Sequence, residues 1–196
     1  MEISRRSFNK TSLTLAAGSI LSSSSIDILA ASPQKKKVVM VGTGIRGITF
    51  WGKNVAEQYK DILQFVGLCD INPGRLAFAK QYMGVNCPTF TSFEQMVQKT
   101  KPDIVIVTTV DSTHHEFIIK ALQLGCDVLT EKPLTTDEVK CKDILEAEKK
   151  SGKKVTVGFN YRYGTFFTGI KEQLVKETIG DVVSVDFNWY LNVYHG

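Results

Sequence analysis

The chain has 196 residues, enough for one complete α/β domain and the beginning of a second. Its 43% of hydrophobic and 22% of charged residues are typical of a globular protein that buries a core. The formal net charge of +4 is spread along the sequence, which excludes the concentrated basic surface of nucleic-acid-binding proteins.

Residues 1–32 are interpreted as a targeting segment outside the fold. The run Ser4-Arg5-Arg6-Ser7-Phe8-Asn9-Lys10 resembles the twin-arginine export signal, and residues 11–31 are weakly apolar and end in small side chains. This stretch is too polar for a convincing membrane span. We therefore expect the twin-arginine export machinery to carry the folded protein to the periplasm. The alternative is a disordered basic N-terminus.

A glycine turn follows the first predicted strand, residues 37–41. Gly42 permits a tight turn, Gly44 lets the backbone approach a pyrophosphate, and Gly47 lets the next helix pack closely on the strand. That helix is predicted to continue to about Tyr59, and its N-terminus offers unpaired N–H groups to phosphates. The predicted cofactor-binding residues of the turn are Gly42, Thr43, Gly44, Ile45, Arg46 and Gly47.

The second predicted strand, residues 62–70, ends in an acid. The carboxylate of Asp70 at that strand tip can accept both hydroxyls of an adenosine ribose and repels a 2′-phosphate, which favours NAD over NADP. Arg75 lies close enough in sequence to soften that preference. Because free NAD is scarce outside the cell, an exported enzyme of this kind is expected to release its cofactor slowly.

Strands and helices then alternate with short connections. Helices are predicted over residues 75–82, 92–99, 113–124, 136–151 and 166–177, and strands over 88–91, 103–109, 127–130 and 154–159. Such βα repeats predict a Rossmann-type doubly wound parallel sheet over residues 35–163, with ligands at the carboxyl ends of its strands. Gly125 is predicted to end its helix in a left-handed conformation.

The last segment, residues 164–196, is predicted to begin a second α+β domain. Residues 182–190 alternate polar and apolar side chains, the pattern of an antiparallel strand with one exposed face. A lone strand cannot bury its face, so we expect the chain to be a fragment of a longer protein.

The four cysteines, Cys69, Cys87, Cys126 and Cys141, lack the spacing of a zinc site, and no metal is predicted. Cys69 lies in a predicted core strand, where a free cysteine behaves as a small hydrophobe.

Four motifs resemble the Gfo/Idh/MocA family of oxidoreductases. They are Glu131-Lys132-Pro133-Leu134, Asp70-Ile71-Asn72-Pro73, the loop at 109–114, and Gly158-Phe159-Asn160-Tyr161-Arg162. The resemblance covers about residues 37–190 and implies an NAD-binding domain followed by a second domain that covers the substrate. That domain supplies a histidine for proton transfer, so the chain alone is expected to be weakly active or inactive. The same second-domain sheet is compatible with a homo-oligomer.

Lys132 is the predicted catalytic residue, because it follows a buried strand at the ligand-binding edge. The resemblance implies that Lys132 holds or deprotonates a substrate hydroxyl while its carbon gives hydride to NAD. Glu131 would orient the lysine or contact the nicotinamide ribose. The resemblance places Thr109 and His114 on the cofactor side and Arg162 on the substrate side. Val110 and Asp111 stand where the family has Pro and Asn, which adds a carboxylate to this loop on the cofactor side.

The favoured hypothesis is an NAD-dependent oxidoreductase acting on a sugar or cyclic polyol, with no nucleic-acid partner. One alternative is a glycosidase of the same fold that uses NAD transiently and shows no net reduction. Another is a non-catalytic nucleotide-binding or interaction module that pairs through the edge strand at 182–190.

Overall fold

A six-stranded parallel sheet is the centre of the fold, in the order β3-β2-β1-β4-β5-β6. The computed structural model describes residues 34–190, so the predicted export signal lies outside the described residues. The strands are β1 (Lys36–Val41), β2 (Leu63–Cys69), β3 (Thr89–Phe90), β4 (Ile104–Val107), β5 (Asp127–Thr130) and β6 (Val155–Val157). The sheet confirms the predicted Rossmann-type topology. From the central strand β1 the chain adds β2 and β3 on one side, and then returns to add β4, β5 and β6 on the other side.

Helices connect successive strands and cover both faces of the sheet. They are α1 (Gly47–Asn54, continued by Val55–Gln58), α2 (Pro73–Met83), α3 (Phe93–Thr100), α4 (His114–Gln123) and α5 (Glu138–Ser151). A further helix, α6 (Thr165–Val175), follows the last strand. Short 3₁₀ turns, Asp111–Thr113 and Asn160–Tyr163, precede α4 and α6. Among the described residues no helix is long and apolar enough to cross a membrane.

Local sequence signals place the helix ends. The Asn72 side chain accepts hydrogen bonds from Gly74 N and Arg75 N at the start of α2, with Pro73 in the first turn. Ser92 and Asp137 cap α3 and α5 in the same manner. Gly125 follows α4 with a φ of 80°, the left-handed conformation predicted for it.

The first helix differs from the prediction in its winding. Residues Gly47–Asn54 form a π-helix, and only Val55–Gln58 are wound as an α-helix. A run of eight residues is too short for hydrophobic periodicity to separate the two windings. The helix ends at Gln58 with Tyr59 as its C-cap residue, one residue short of the predicted end at about Tyr59.

The core consists of two layers, one on each face of the sheet. In β1, Val39 and Val41 point into the layer under α3, α4 and α5, whereas Val38 and Met40 point into the layer under α1 and α2. Both faces are buried, which explains why the central strands read as continuous apolar runs. Cys69 lies in the first of these layers, and burial raises its pKa to about 11.

The C-terminal segment differs most from its predicted structure. Residues 182–190 have no regular secondary structure, although their alternation predicted a strand. A strand forms when its backbone groups pair with a neighbour, and within residues 34–190 none pairs with this segment. No residue of α6 is buried. The start of a second domain therefore stays a prediction.

We predict that Ile106→Ala will lower the free energy of unfolding by about 2–5 kcal/mol, because Ile106 is fully buried in β4 and the truncation leaves a cavity. Ile179→Ala removes the same atoms from a side chain that is 67% exposed, and it should change stability by less than about 0.5 kcal/mol. Urea denaturation measures both, and equal effects would contradict the assigned core.

Candidate active site

The register of the sheet brings the residues after five strands to one edge. Val41 pairs with Cys69 on one side and with Val107 on the other, and Thr130 and Val157 continue the same row. The residues that follow these positions are Gly42, Asp70, Thr108, Glu131 and Gly158. A cleft of about 870 Å³ lies at this edge of the sheet, and Glu131 is one of the residues that line it.

The glycine turn lies directly against the end of β4. Gly42 has a φ of 87°, and a Cβ atom there would lie 2.5 Å from the carbonyl oxygen of Thr108. A Cβ atom at Gly47 would lie 2.6 Å from the Thr108 hydroxyl, which donates a hydrogen bond to Gly42 O. A Cβ atom at Gly44 would meet nothing within 4 Å. The turn is closed toward the protein and open above Gly44, a shape that fits a pyrophosphate.

Asp70 is held against the turn by hydrogen bonds on both of its carboxylate oxygens. Oδ2 accepts from the N–H and the hydroxyl of Thr43, at 2.8 and 2.9 Å, and Oδ1 accepts from Asn72 N at 2.9 Å. Only 7% of the residue is exposed. A ribose hydroxyl would therefore have to donate to the remaining lone pairs of the carboxylate. The Thr43 hydroxyl donates its hydrogen to Asp70 and not to a ligand.

The pKa of Asp70 is lowered despite its burial. Burial alone would raise this pKa, but the backbone N–H groups of Thr43 and Asn72 hydrogen-bond to the charged form and lower it. The Thr43 hydroxyl and the positive charge of Arg75 lower it further. Asp70 is consequently ionised at neutral pH and places a fixed negative charge beside the glycine turn.

Glu131 forms a second buried carboxylate, at the end of β5. Its Oε1 accepts from Arg46 Nε at 2.7 Å and from Trp51 Nε1 at 2.8 Å, while Oε2 accepts from Lys132 N at 3.2 Å. These donors come from the glycine turn, from α1 and from the next residue of the chain. The carboxylate thus joins α1 to the end of β5, and it makes no hydrogen bond to the Lys132 ammonium.

Lys132 and Arg162 both line the cleft. Lys132 is exposed beside the buried Glu131, and its peptide bond to Pro133 is cis. Arg162 lies in the 3₁₀ turn after β6. The full lining is Ile45, Arg46, Thr49, Glu131, Lys132, Phe159, Asn160, Tyr161, Arg162, Phe167, Phe187 and Trp189. Within residues 34–190 neither Lys132 nor Arg162 forms a salt bridge.

His114, predicted on the cofactor side, is buried between two loops. Its Nδ1 lies 2.9 Å from Pro133 O and its Nε2 lies 3.1 Å from Thr109 O, and only 1% of the residue is exposed. The Thr109 hydroxyl accepts from Thr113. The ring therefore ties the loop after β4 to the turn that follows Lys132, and both of its nitrogens contact protein carbonyl groups.

Val110 and Asp111, the two residues that depart from the family's loop, lie just before α4. Asp111 begins the 3₁₀ turn and accepts from Ser112 N at 2.8 Å, while Val110 is exposed. The carboxylate of Asp111 therefore turns back on its own loop.

Sequence reasoning missed the contact of Thr108 with the glycine turn and the role of Trp51. Thr108 follows the buried apolar strand β4, and only the packing of the turn reveals its hydrogen bond to Gly42 O. Trp51 sits at an apolar position of a predicted helix, where the pattern indicates core packing. Its indole N–H was the available signal, because a buried tryptophan usually finds an acceptor.

The parallel sheet and its glycine turn define a dinucleotide-binding domain of the Rossmann class. Residues 36–159 match the family described as "Oxidoreductase family, NAD-binding Rossmann fold", designated GFO_IDH_MocA. The chain belongs to this family, which confirms the resemblance seen in its four motifs.

Two relatives illustrate the sequence similarity. The chain is 42% identical over 165 residues to YteT of Bacillus subtilis (strain 168), a protein named as an oxidoreductase, covering 82% of this chain and 39% of YteT. It is 29% identical to inositol 2-dehydrogenase/D-chiro-inositol 3-dehydrogenase of Lactiplantibacillus plantarum, covering 75% of this chain and 43% of that protein. The chain thus spans about two fifths of the length of these relatives.

Two solved structures share the fold. Scyllo-inositol dehydrogenase from Lactobacillus casei, with bound NAD(H) and scyllo-inositol, has a TM-score of 0.67 and 26% identity, covering 76% of this chain and 43% of that chain. The WlbA dehydrogenase from Chromobacterium violaceum, in complex with NADH and UDP-GlcNAcA, has a TM-score of 0.69 and 26% identity, covering 74% and 41%.

We predict that Asp70→Asn will lower the free energy of unfolding at pH 7 by about 1–3 kcal/mol, because it removes the charge that Thr43 and Asn72 stabilise. A lowered pKa in the folded state stabilises the fold above the ordinary carboxyl pKa of about 4, and this contribution is lost as the pH falls below that value. The difference between wild type and variant should therefore shrink in acid.

Urea denaturation at pH 7 and in steps down to about pH 3 measures this difference. Asp61→Asn, at an exposed aspartate, is the matched control, and its effect should stay below about 0.5 kcal/mol. A difference for Asp70→Asn that stays constant over the whole pH range would contradict the assignment.

Proposed function

We propose that this chain is the NAD-binding part of an oxidoreductase that transfers hydride between a hydroxyl-bearing carbon of a sugar or cyclic polyol and the nicotinamide. The observation that carries the proposal is the placement of Lys132. It lies exposed at the end of β5, in the same cleft as the glycine turn, and it is free of salt bridges within residues 34–190. Family membership supports both the cofactor and the class of reaction.

In this mechanism the glycine turn binds the cofactor and Lys132 acts on the substrate. The backbone N–H groups after Gly44 bind the pyrophosphate, where no protein atom fills the space. Bound NAD supplies the hydride acceptor. Lys132 donates a hydrogen bond to the substrate hydroxyl, or accepts its proton at Nζ, as the hydroxyl-bearing carbon is oxidised.

The proposed cofactor is NAD rather than NADP because of the charge on Asp70. Its carboxylate is ionised at neutral pH and lies next to Thr43 of the turn. A 2′-phosphate brought to this place would meet a negative charge that three hydrogen bonds hold in position. Arg75, which lowers the pKa of Asp70, offsets part of that repulsion.

The proposed substrate class rests on the chemistry of the cleft and on the relatives. Aromatic rings line the cleft beside Lys132, among them Tyr161 and Phe167, whose ring centroids are 5.8 Å apart. Such rings pack against the C–H faces of sugars and cyclic polyols, while Arg162 can donate to their hydroxyls. The L. casei and C. violaceum structures hold scyllo-inositol and a nucleotide sugar in the same fold.

We predict that Lys132→Ala will retain bound NAD and lose turnover by about 10²–10⁴-fold, because it removes the proton-transfer group and leaves the glycine turn intact. Mass spectrometry of the nucleotide released on denaturation measures the first part. NADH formation with a panel of sugars and cyclic polyols measures the second, on a protein that includes the segment completing the substrate pocket.

Lys149→Ala, at an exposed position of α5, is the matched control and should leave both properties unchanged. Full turnover in Lys132→Ala would contradict the role of Lys132. Release of NADP in place of NAD would contradict the role of Asp70. Cleavage of a glycosidic bond without net NADH formation would replace the oxidoreductase with a glycosidase of the same fold.

We also propose that the protein is exported folded, with its cofactor bound, by the twin-arginine machinery. The paired Arg5 and Arg6, with Phe8 and Lys10 after them, support this proposal.

Replacing Arg5 and Arg6 together by Lys should keep the protein in the cytoplasm, because the machinery reads the arginine pair and not its charge alone. Cell fractionation with immunoblotting measures the outcome. A variant with Lys35 and Lys36 replaced by Arg is the control and should be exported as the wild type. Equal export of the two variants would overturn this proposal.

A further inference from the structure

Glu131 was expected to contact Lys132 or the nicotinamide ribose, but its hydrogen bonds give it a different role. Oε1 accepts from both Arg46 Nε and Trp51 Nε1, and Oε2 accepts from Lys132 N. Only 8% of its side chain is exposed. A buried carboxylate with three protein donors is a fixed anchor, and the group it anchors most strongly is the guanidinium of Arg46.

Arg46 is held on two sides. Its Nε donates to Glu131, and its guanidinium carbon lies 4.2 Å from the centroid of the Phe50 ring. The planar group is therefore fixed in one orientation. Within the described residues only Nε has a hydrogen-bond partner, so both Nη groups are left with their donors unused. The side chain is 43% exposed and lines the cleft.

The position of Arg46 indicates which part of the cofactor these donors meet. Arg46 belongs to the glycine turn, and the cleft that it lines continues to Lys132. A dinucleotide with its pyrophosphate on the turn and its nicotinamide beside Lys132 must pass Arg46 with its nicotinamide-side phosphate and ribose. A fixed guanidinium with free Nη groups is a strong donor to a phosphate oxygen.

We propose that the Nη groups of Arg46 bind the nicotinamide-side phosphate of NAD, and that Glu131 and Trp51 are positioning residues. Glu131 acts through Arg46 and not through the ribose. This inference rests on the proposed function, because it requires that the cleft binds NAD. It explains why an arginine in the glycine turn is paired with the acid that precedes the catalytic lysine.

The test compares three probes that share the adenosine end: NAD, ADP-ribose and AMP. Isothermal titration calorimetry measures their binding to wild type, Arg46→Met, Arg46→Lys, Glu131→Gln and the double variant Arg46→Met/Glu131→Gln. AMP lacks the nicotinamide-side phosphate and ribose, whereas ADP-ribose retains both. The matched control pair is Lys120→Met and Glu94→Gln, which removes an exposed salt bridge of 2.6 Å outside the cleft.

Arg46→Met and Arg46→Lys should each weaken the binding of NAD and ADP-ribose about tenfold, which is the effect of losing one charge-assisted hydrogen bond. The binding of AMP should be unchanged. Glu131→Gln should weaken the same two ligands, and the double variant should bind no more weakly than Arg46→Met alone. The control pair should bind all three as the wild type does. Thermal denaturation checks that each variant is folded, and the exposed Arg46 variants test the phosphate contact should Glu131→Gln unfold.

Three results would overturn the inference. If the Arg46 variants weakened the binding of AMP as much as that of NAD, Arg46 would not contact the nicotinamide side of the cofactor. Additive losses in the double variant would mean that Glu131 contacts the ribose directly. Unchanged binding of NAD by every Arg46 variant would refute the phosphate contact while leaving the proposed function standing. A wild-type chain that binds neither NAD nor ADP-ribose would instead refute the proposed function and this inference with it.

Discussion

The close contact between the glycine turn and the end of β4 is the constraint on which the rest of the structure depends. Gly42 and Gly47 both face Thr108 at distances that admit no Cβ atom, and the Thr108 hydroxyl donates to Gly42 O at 2.6 Å. This contact sets α1 on the sheet at the point where the strand order reverses, between β1 and β4. The same turn is open above Gly44, and its Ile45 and Arg46 line the cleft, so one contact positions both the helix and the candidate phosphate site.

Two buried carboxylates, one on each side of the turn, complete this arrangement. Asp70 holds Thr43 from the end of β2, and Glu131 holds Arg46 and Trp51 from the end of β5. A buried charge is tolerated only where donors surround it, and each of these carboxylates accepts three hydrogen bonds. The acids therefore act first on the protein, by fixing the loops that line the cleft, and their effect on a cofactor follows from that.

Most of the fold could be predicted from local signals. Caps at Asn72 and Ser92 and the left-handed Gly125 mark helix ends by interactions within a few residues. Less of the site could be predicted, because its contacts join distant parts of the chain. His114 illustrates this: its position at a helix start was readable, but the carbonyl groups of Thr109 and Pro133 on its two nitrogens were not. The predicted strand at 182–190 is absent from the described structure. Alternating polar and apolar side chains indicate which face of a strand would be buried, but a strand forms only where a neighbouring strand pairs with its backbone.

The sequence by itself determined the class of fold, the glycine turn as the candidate cofactor site and Lys132 as the candidate catalytic residue. These follow from residue types at short spacings, where backbone geometry and hydrophobic periodicity act locally. Only the tertiary structure decided what Glu131, His114 and Trp51 do. Their partners lie 80 residues away for Trp51 and Glu131, and 19 residues away for His114 and Pro133. The physical reason is that a buried polar group forms hydrogen bonds with whichever donor or acceptor the packed sheet brings to it. Short-range sequence patterns do not predict which distant residue that will be.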